Sequence, residues 1–343
     1  MKLTHGTSRM LEKWILSRTD RIGDLLLTLP LANFLRVAYP EVVPIFLVSC
    51  YTAPLLKLHD PPLEGLIWED NPSLRGYEAI VHVFPRWSIA WQALMAGIPK
   101  RVGTSRRWYH WLTCNYLPKV SRRYSGKHET ALNLHLLAPL LPSALQSEVQ
   151  SVEWKRLLFY RARLKSEVSL PSGIQERLSS YSPCFVLHIG SKGSAPGWTL
   201  SAWAELAREL SRSFPGVGLF LTGTEGERPL TQALMGLVPE LAWVNLCGKL
   251  SLAEIVRLFS MVDGVIAMST GPLHIAAAVD TLAVGIFANA PELGPWRWRP
   301  LSSKSIILGG EKVCYECSRQ NCLCIQKITP QKVVERIRDF LKH

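Results

Sequence analysis

The chain has 343 residues, enough for two domains with a core each, so a small scaffold held together by disulfides is excluded. Hydrophobic residues make up 48% and charged residues 19%, which excludes a largely disordered chain. Lys and Arg number 39 against 27 Asp and Glu, a formal net charge of +12. Of this, +9 falls in residues 1–170 and +3 in the rest, so anionic partners are expected for the first half.

Arg36, Glu41, Arg86 and Asp280 interrupt the most apolar regions, and no run reaches the ~18 uncharged apolar residues of a spanning helix. Residues 1–20 lack the pattern of a signal peptide, so a cytoplasmic location is expected, and the eight cysteines read as thiols or metal ligands.

In chain order, the apolar run 14–17 predicts a strand and the polar stretch 18–23 a loop. Leu25, Leu26, Leu29, Phe34, Leu35 and Ala38 then predict a helix over 25–39, kinked at Pro30. Strands are expected at 45–50, 66–68 and 79–84, with helices at 88–96 and 131–141. The stretch 142–183 reads as an irregular connection between domains. From there strands at 185–189, 217–221, 244–246, 265–268 and 282–287 alternate with helices at 201–213, 229–237, 251–261 and 273–279. An amphipathic helix closes the chain at 330–341. Strands alternating with helices imply parallel sheets covered on both faces, whose ligands bind beyond the carboxyl ends of the strands.

Residues 100–127 hold eight basic side chains, including Arg101, Arg106 and Arg107, and no acidic one. Trp108, Tyr109, Trp111, Tyr116 and Tyr124 are interleaved. Such a surface suits a phosphorylated glycolipid, the anionic inner membrane leaflet or RNA, or is a solvated basic face.

Three loops that follow strands carry chemistry. Arg18-Thr19-Asp20-Arg21-Ile22-Gly23-Asp24 places Asp24 either as a helix cap or as a general base facing a cleft, with Arg18 and Arg21 available to an anion. Gly190-Ser191-Lys192-Gly193-Ser194-Ala195-Pro196-Gly197 is a phosphate-type loop without the Walker ending. Ser269-Thr270-Gly271-Pro272-Leu273-His274 opens a helix whose unpaired N–H groups and hydroxyls suit an anion. After the strand at 217–221, Thr222-Gly223-Thr224-Glu225-Gly226-Glu227 offers a carboxylate for ribose hydroxyls, Glu227 before Glu225, or an acidic first helical turn.

Cys314, Cys317, Cys322 and Cys324 form C-x2-C-x4-C-x-C. The second pair is too close for the usual two-knuckle zinc site, so buried thiols or redox-labile pairs in a surface loop are expected ahead of a metal. Cys50, Cys114, Cys184 and Cys247 lie in or near apolar runs and are expected in the core.

Taken together, these loops, the Lys127-His128-Glu129 segment with Asn133, the Ala276-Ala277-Ala278 run and the late cysteines resemble the bacterial lipopolysaccharide heptosyltransferases and other family 9 glycosyltransferases. The resemblance spans nearly the whole chain. It implies an α/β fold of two Rossmann-like doubly wound domains facing across a cleft, the GT-B architecture. An acceptor-binding domain would occupy 1–165 and a nucleotide-sugar-binding domain 166–329, with a helix over 330–343 packing back toward the first.

The implied reaction is inverting transfer of a sugar, typically heptose from ADP-heptose, onto a lipopolysaccharide core or another lipid-linked glycan. By position Asp24 would be the base. Ser191, Lys192, Gly193, Ser194, Glu227, Ser269, Thr270, Gly271, Pro272 and His274 would hold the donor, and Arg18, Arg21, Arg101, Arg106, Arg107 and His128 the acceptor. No cofactor, metal or nucleic acid is implied, and the enzyme would sit peripherally on the inner membrane. Two positions depart from the family: Pro196 stands where many members have a basic residue, and Ser269 where many have aspartate. A nucleotide-sugar epimerase of the same architecture and a non-catalytic basic RNA-binding or scaffold protein are the alternative readings.

Overall fold

A computed structural model of the chain describes residues 11–122, 125–191, 193, 196–318 and 322–342. Two all-parallel sheets follow one another along the chain. The first comprises β1 (Glu12–Ser17), β2 (Val42–Val48), β3 (Glu64–Ile67), β4 (Ala79–His82) and β5 (Lys100–Val102), in the order β3-β2-β1-β4-β5. The second comprises β6 (Cys184–His188), β7 (Gly218–Leu221), β8 (Trp243–Asn245), β9 (Gly264–Met268), β10 (Leu282–Ile286) and β11 (Ser305–Leu308), in the order β11-β10-β9-β6-β7-β8.

Each order reverses direction once, between β1 and β4 in the first sheet and between β6 and β9 in the second. The crevice for a ligand opens at these switch points. Register fixes what meets there. Ser17 pairs with His82 and His188 with Ala267, so residues 18–24 emerge beside 83–86, and 189–191 beside 269–271. Central strands are near-continuous apolar runs because both faces are covered: Gly264–Met268 and Leu282–Ile286 are buried throughout.

The two halves are packed together. One hydrophobic cluster runs from Trp14 and Leu25 in the first half through Leu273 and Ala277 in the second. Leu164 N donates to Ala278 O at 2.8 Å across the junction.

Four expectations are corrected. The helix expected over 25–39 is two, Ile22–Leu26 and Pro30–Ala38, because Pro30 takes the first-turn position, where a missing N–H costs nothing, and so starts a helix instead of kinking one. The connection expected to be irregular contains helices Ser143–Gln150, Trp154–Phe159 and Ser172–Ser180. The last helix, Pro330–Leu341, has the expected bounds but packs on helix Leu200–Ser213 of the second half. Val333, Val334 and Ile337 join that half's core, and Arg338 donates to Ser213 Oγ at 3.0 Å. Cys114, Cys184 and Cys247 are buried as expected, whereas Cys50 is exposed just past the end of β2. The edge strands β5 and β11 are absent from the sequence reading. Both are short, and β5 opens Lys100-Arg101, a charged edge with no apolar run to find.

Candidate active site

A cavity of about 730 Å3 lies where the two switch points face each other. Its first-half wall comes from the loop after β1, from His82 at the end of β4 and 83–85 after it, and from Thr104, Arg106, Arg107, Arg122 and Glu129. Its second-half wall comes from Ser269, Thr270, Gly271 and His274 after β9, and from Leu293, Arg297 and Trp298 after β10.

Two helix starts meet at its floor. A Cβ on Gly23 would lie 2.9 Å from His274 Cδ2 and 3.5 Å from Gly271 Cα, and a Cβ on Gly271 would lie 3.1 Å from Ile22. Both glycines are therefore needed for close approach between the halves, which places Asp24, in the first turn of helix Ile22–Leu26, opposite the open end of helix Gly271–Ala278. Asp24 is 20% exposed and lines the cavity.

Arg18 is expected to meet an anionic ligand, and here the structure differs. The side chain is 4% exposed and its guanidinium is committed to carboxylates: Nε to Asp20 at 2.8 Å, Nη1 to Glu129 at 3.3 Å, and Nη2 to Asp24. Burial alone would lower its pKa, but Asp20, Asp24 and Glu129 outweigh it and hold the guanidinium firmly charged. Asp20 is pushed up to about 6 by burial, with Arg18 opposing and Asp24 adding to the rise.

Glu129 is the deepest charge in the site, at 1% exposed. It accepts from Arg122 Nη1, from Arg18 Nη1, and from Arg297 Nε at 2.9 Å, the last reaching over from the second half. Burial pushes its carboxyl up, but Arg122, Arg18 and Arg297 together hold it at about 2. Arg122 also donates to Asn133 Oδ1 at 2.9 Å, and Asn133 in turn donates to Leu27 O and Thr28 Oγ1, so the cluster is anchored in the first half's interior.

Of the other residues singled out in the sequence, Arg21, Arg106 and Arg107 line the cavity and are exposed, with Arg106 Nη2 donating to Ser121 Oγ at 3.0 Å. Arg101 is turned away, donating to the carbonyls of Thr113 and Ile98. His128 is also absent from the wall. Nδ1 accepts from Thr130 N as a helix cap, Nε2 donates to Arg299 O at 2.9 Å, and burial lowers its pKa to about 4, leaving a neutral ring that ties the halves together.

Ser269, Thr270 and Gly271 present the start of helix Gly271–Ala278, with Pro272 in its first turn. His274 is held neutral, pulled down to about 3 by burial and then by the nearby His128, and its Nδ1 has no hydrogen-bond partner among the described residues.

A second cavity, about 360 Å3, opens after β6 and β7 between Gly190, Ser191, Trp198 and Glu227. Glu227 is both the acidic cap and a wall residue. Oε2 accepts from Thr224 N at 2.8 Å and Thr224 Oγ1 at 2.9 Å, while Oε1 occupies the space a Cβ on Gly190 would need. Lys192 and Ser194 lie outside the described residues, and Gly193 adopts φ +69°.

Sequence reasoning missed Asp20, Arg122, Glu129 and Arg297 as members of one charge cluster. Glu129 ends a stretch, 79–128, that contains no Asp or Glu, and a lone acid at a helix start reads as a dipole partner. Arg297 carries no local signal at all. Away from the cavity, the sulfurs of Cys314, Cys317 and Cys324 lie within 4.8 Å of one another, close enough to share a metal ion, and Cys317 Sγ is 2.8 Å from Cys322 Sγ.

Two Rossmann-type halves facing each other across a cavity make the GT-B architecture, as expected from the sequence. Residues 73–327 match glycosyltransferase family 9 (heptosyltransferase), and the chain belongs to that family and is a glycosyltransferase. It is 25% identical to a Haemophilus influenzae protein named "Putative glycosyltransferase", over 97% of this chain and 98% of that one. It is 31% identical to lipopolysaccharide heptosyltransferase 2 of Salmonella typhimurium, over 48% of each chain. The solved structure of the Escherichia coli ADP-heptose lipopolysaccharide heptosyltransferase II is similar with a TM-score of 0.73 at 20% identity, covering 96% of this chain and 98% of the other.

Proposed function

We propose that this protein transfers a sugar, a heptose from ADP-heptose, with inversion onto the lipopolysaccharide core or another lipid-linked anionic glycan, at the inner face of the cytoplasmic membrane. The observation that carries the reading is the position of Asp24: a partly exposed carboxylate from one half, set against the helix N-terminus at Ser269, Thr270 and Gly271 from the other. The names of the relatives supply the sugar and the acceptor class.

In the proposed step the acceptor hydroxyl gives its proton to Asp24 and its oxygen bonds to the anomeric carbon. The bond from that carbon to the diphosphate breaks, and the electron pair leaves with the nucleoside diphosphate. One displacement inverts the centre. Arg18 holds the Asp24 carboxylate in place. The Gly271–Ala278 helix start, with Pro272 fixing its first turn, the Ser269 and Thr270 hydroxyls, the neutral His274 and the loop Ser191, Lys192, Gly193 and Ser194 receive the diphosphate. Preorganised donors of this kind stabilise charge that develops in the transition state. Glu227 takes the ribose beside the second cavity. Arg21, Arg106 and Arg107 attract the acceptor's anionic groups, whereas Arg101 and His128 act in the framework.

Thermal shift with ADP, UDP and GDP identifies the nucleotide, since a ligand that binds only the folded chain stabilises it by mass action. Release of ADP from ADP-heptose should then require a glycolipid acceptor. Asp24→Asn should lose at least about 100-fold in kcat while keeping ADP protection, the scale of a lost general base. Normal turnover by Asp24→Asn, or ADP release that ignores the acceptor, would overturn the proposal.

A further inference from the structure

Helix Trp87–Met95 carries Trp87, Trp91 and Met95 four residues apart, so the three side chains stand on one side, and all of them face solvent. Helix His110–Thr113 and the turn into it expose Trp111 and Leu112, and Trp108, in the same way. The four indoles are between 42 and 70% exposed. Trp87 stacks on both Trp91 and Trp108, with ring centroids 5.5 Å apart and planes 27° from parallel in each pair, which joins the two segments into one platform. These six side chains take no part in the hydrophobic clusters of either half. An apolar surface of this kind left to water marks a contact site.

The charge around the platform selects the partner. Residues 79–128 contain nine Lys and Arg and no Asp or Glu, and Arg106 and Arg107 among them are exposed, so this segment favours an anionic surface. Arg86 and Arg107 directly precede Trp87 and Trp108. The platform also runs into the cavity, because Pro85, Arg106 and Arg107 line the first-half wall.

We infer that this platform docks the protein on an anionic lipid bilayer, with the indoles at the depth of the headgroups, Met95 and Leu112 among the upper acyl carbons, and Arg86 and Arg107 beside lipid phosphates. Indoles favour that depth because the ring is apolar and the N–H is not. Met95 and Leu112 distinguish a bilayer from a glycan, since a sugar stacks on bare aromatic faces and gains little from aliphatic tips. Basic residues beside apolar anchors supply the second signal that stable membrane attachment needs. The purpose rests on the transferase reading: a lipid-linked acceptor could enter the adjoining cavity without leaving the leaflet.

The full-length protein is tested by sedimentation with phosphatidylcholine vesicles that contain or lack phosphatidylglycerol, at low and high salt, with tryptophan emission followed on binding. Binding to the phosphatidylglycerol vesicles with a blue-shifted emission is expected. Trp108→Ser and Leu112→Ser, two separate exposed changes, should each weaken that binding about tenfold. Both should keep the wild-type melting temperature, ADP protection and turnover of a lipid-free acceptor. Absence of binding by the wild type, unchanged binding by both variants, displacement from vesicles by a lipid-free oligosaccharide, or loss of a dimer in the variants would overturn the inference. A failure of the transferase reading is separate, because it appears as absent ADP protection whatever the vesicles show.

Discussion

Replacing Glu129 by glutamine removes the one charge that three guanidiniums share. Glu129 is 1% exposed and pairs with Arg18, Arg122 and Arg297. Held at about 2 against the ordinary 4.5, its carboxyl favours the folded state by about 3 kcal/mol, at 1.36 kcal/mol per pH unit. Because the folded value is the lower one, that contribution is fully present above pH 4.5 and fades as the pH falls from there toward 2. The cost of Glu129→Gln should exceed the loss of one pair, since three cations are left facing an amide that can donate as well as accept. About 3–5 kcal/mol is the scale for breaking a buried pair from one side. Spread over the unfolding entropy of a chain this long, it corresponds to a melting temperature lowered by about 5 °C at neutral pH. Calorimetry at pH 8 and at pH 3 checks both parts: the gap between wild type and variant should be near its full size at the first and clearly smaller at the second. A double-mutant cycle with Arg297→Gln should show coupling, because the two side chains touch. A variant that melts within about 1 °C of wild type at pH 8, or a gap that does not narrow in acid, would refute the account of the cluster.

Three further outcomes test other parts of the site. Asp20 is raised to about 6, and when protonated it leaves Arg18 to pair more fully with Asp24 and hold that carboxylate back from the acceptor hydroxyl; kcat should therefore fall below pH 6 in the wild type, and Asp20→Asn should show reduced kcat at pH 8 with that inflection gone from the pH–rate profile. Gly271→Ala pushes a Cβ to 3.1 Å from Ile22, so a loss of about 1–3 kcal/mol by denaturant titration and a raised KM are expected; unchanged values would mean that the helix starts can part freely. For His128→Ala, loss of the cap and of the Arg299 contact should cost about 1–2 kcal/mol, while KM for the acceptor stays within about twofold; a large rise in KM would return His128 to acceptor binding.

The loops that carry the candidate chemistry were legible because they rest on local patterns. The Asp24 loop, the glycine-rich loop at 190–197 and the Ser269–Gly271 helix start each follow a short apolar run that could only be a buried strand. Glycine was legible as a residue type, but its reason was not: Gly23 and Gly271 serve each other across the junction, and Gly190 makes room for Glu227. Arg18 and Arg101 looked alike in the sequence as cations near candidate loops. One is consumed by three carboxylates and the other by two backbone carbonyls, and no spacing rule separates them.

From its residues alone, the chain determined two runs of alternating strand and helix, hence two covered parallel sheets, and the loops at their carboxyl ends, since hydrophobic period and turn residues act over a few positions. Only the folded chain decided which charges meet. Glu129 finds Arg18 from 111 residues away and Arg297 from 168, His128 spans 171 residues to cap a carbonyl, and tryptophans from separate segments stack into one exposed face. These pairings depend on where two sheets come to rest against each other, which is set by packing across the whole molecule and leaves no trace in any one stretch of sequence.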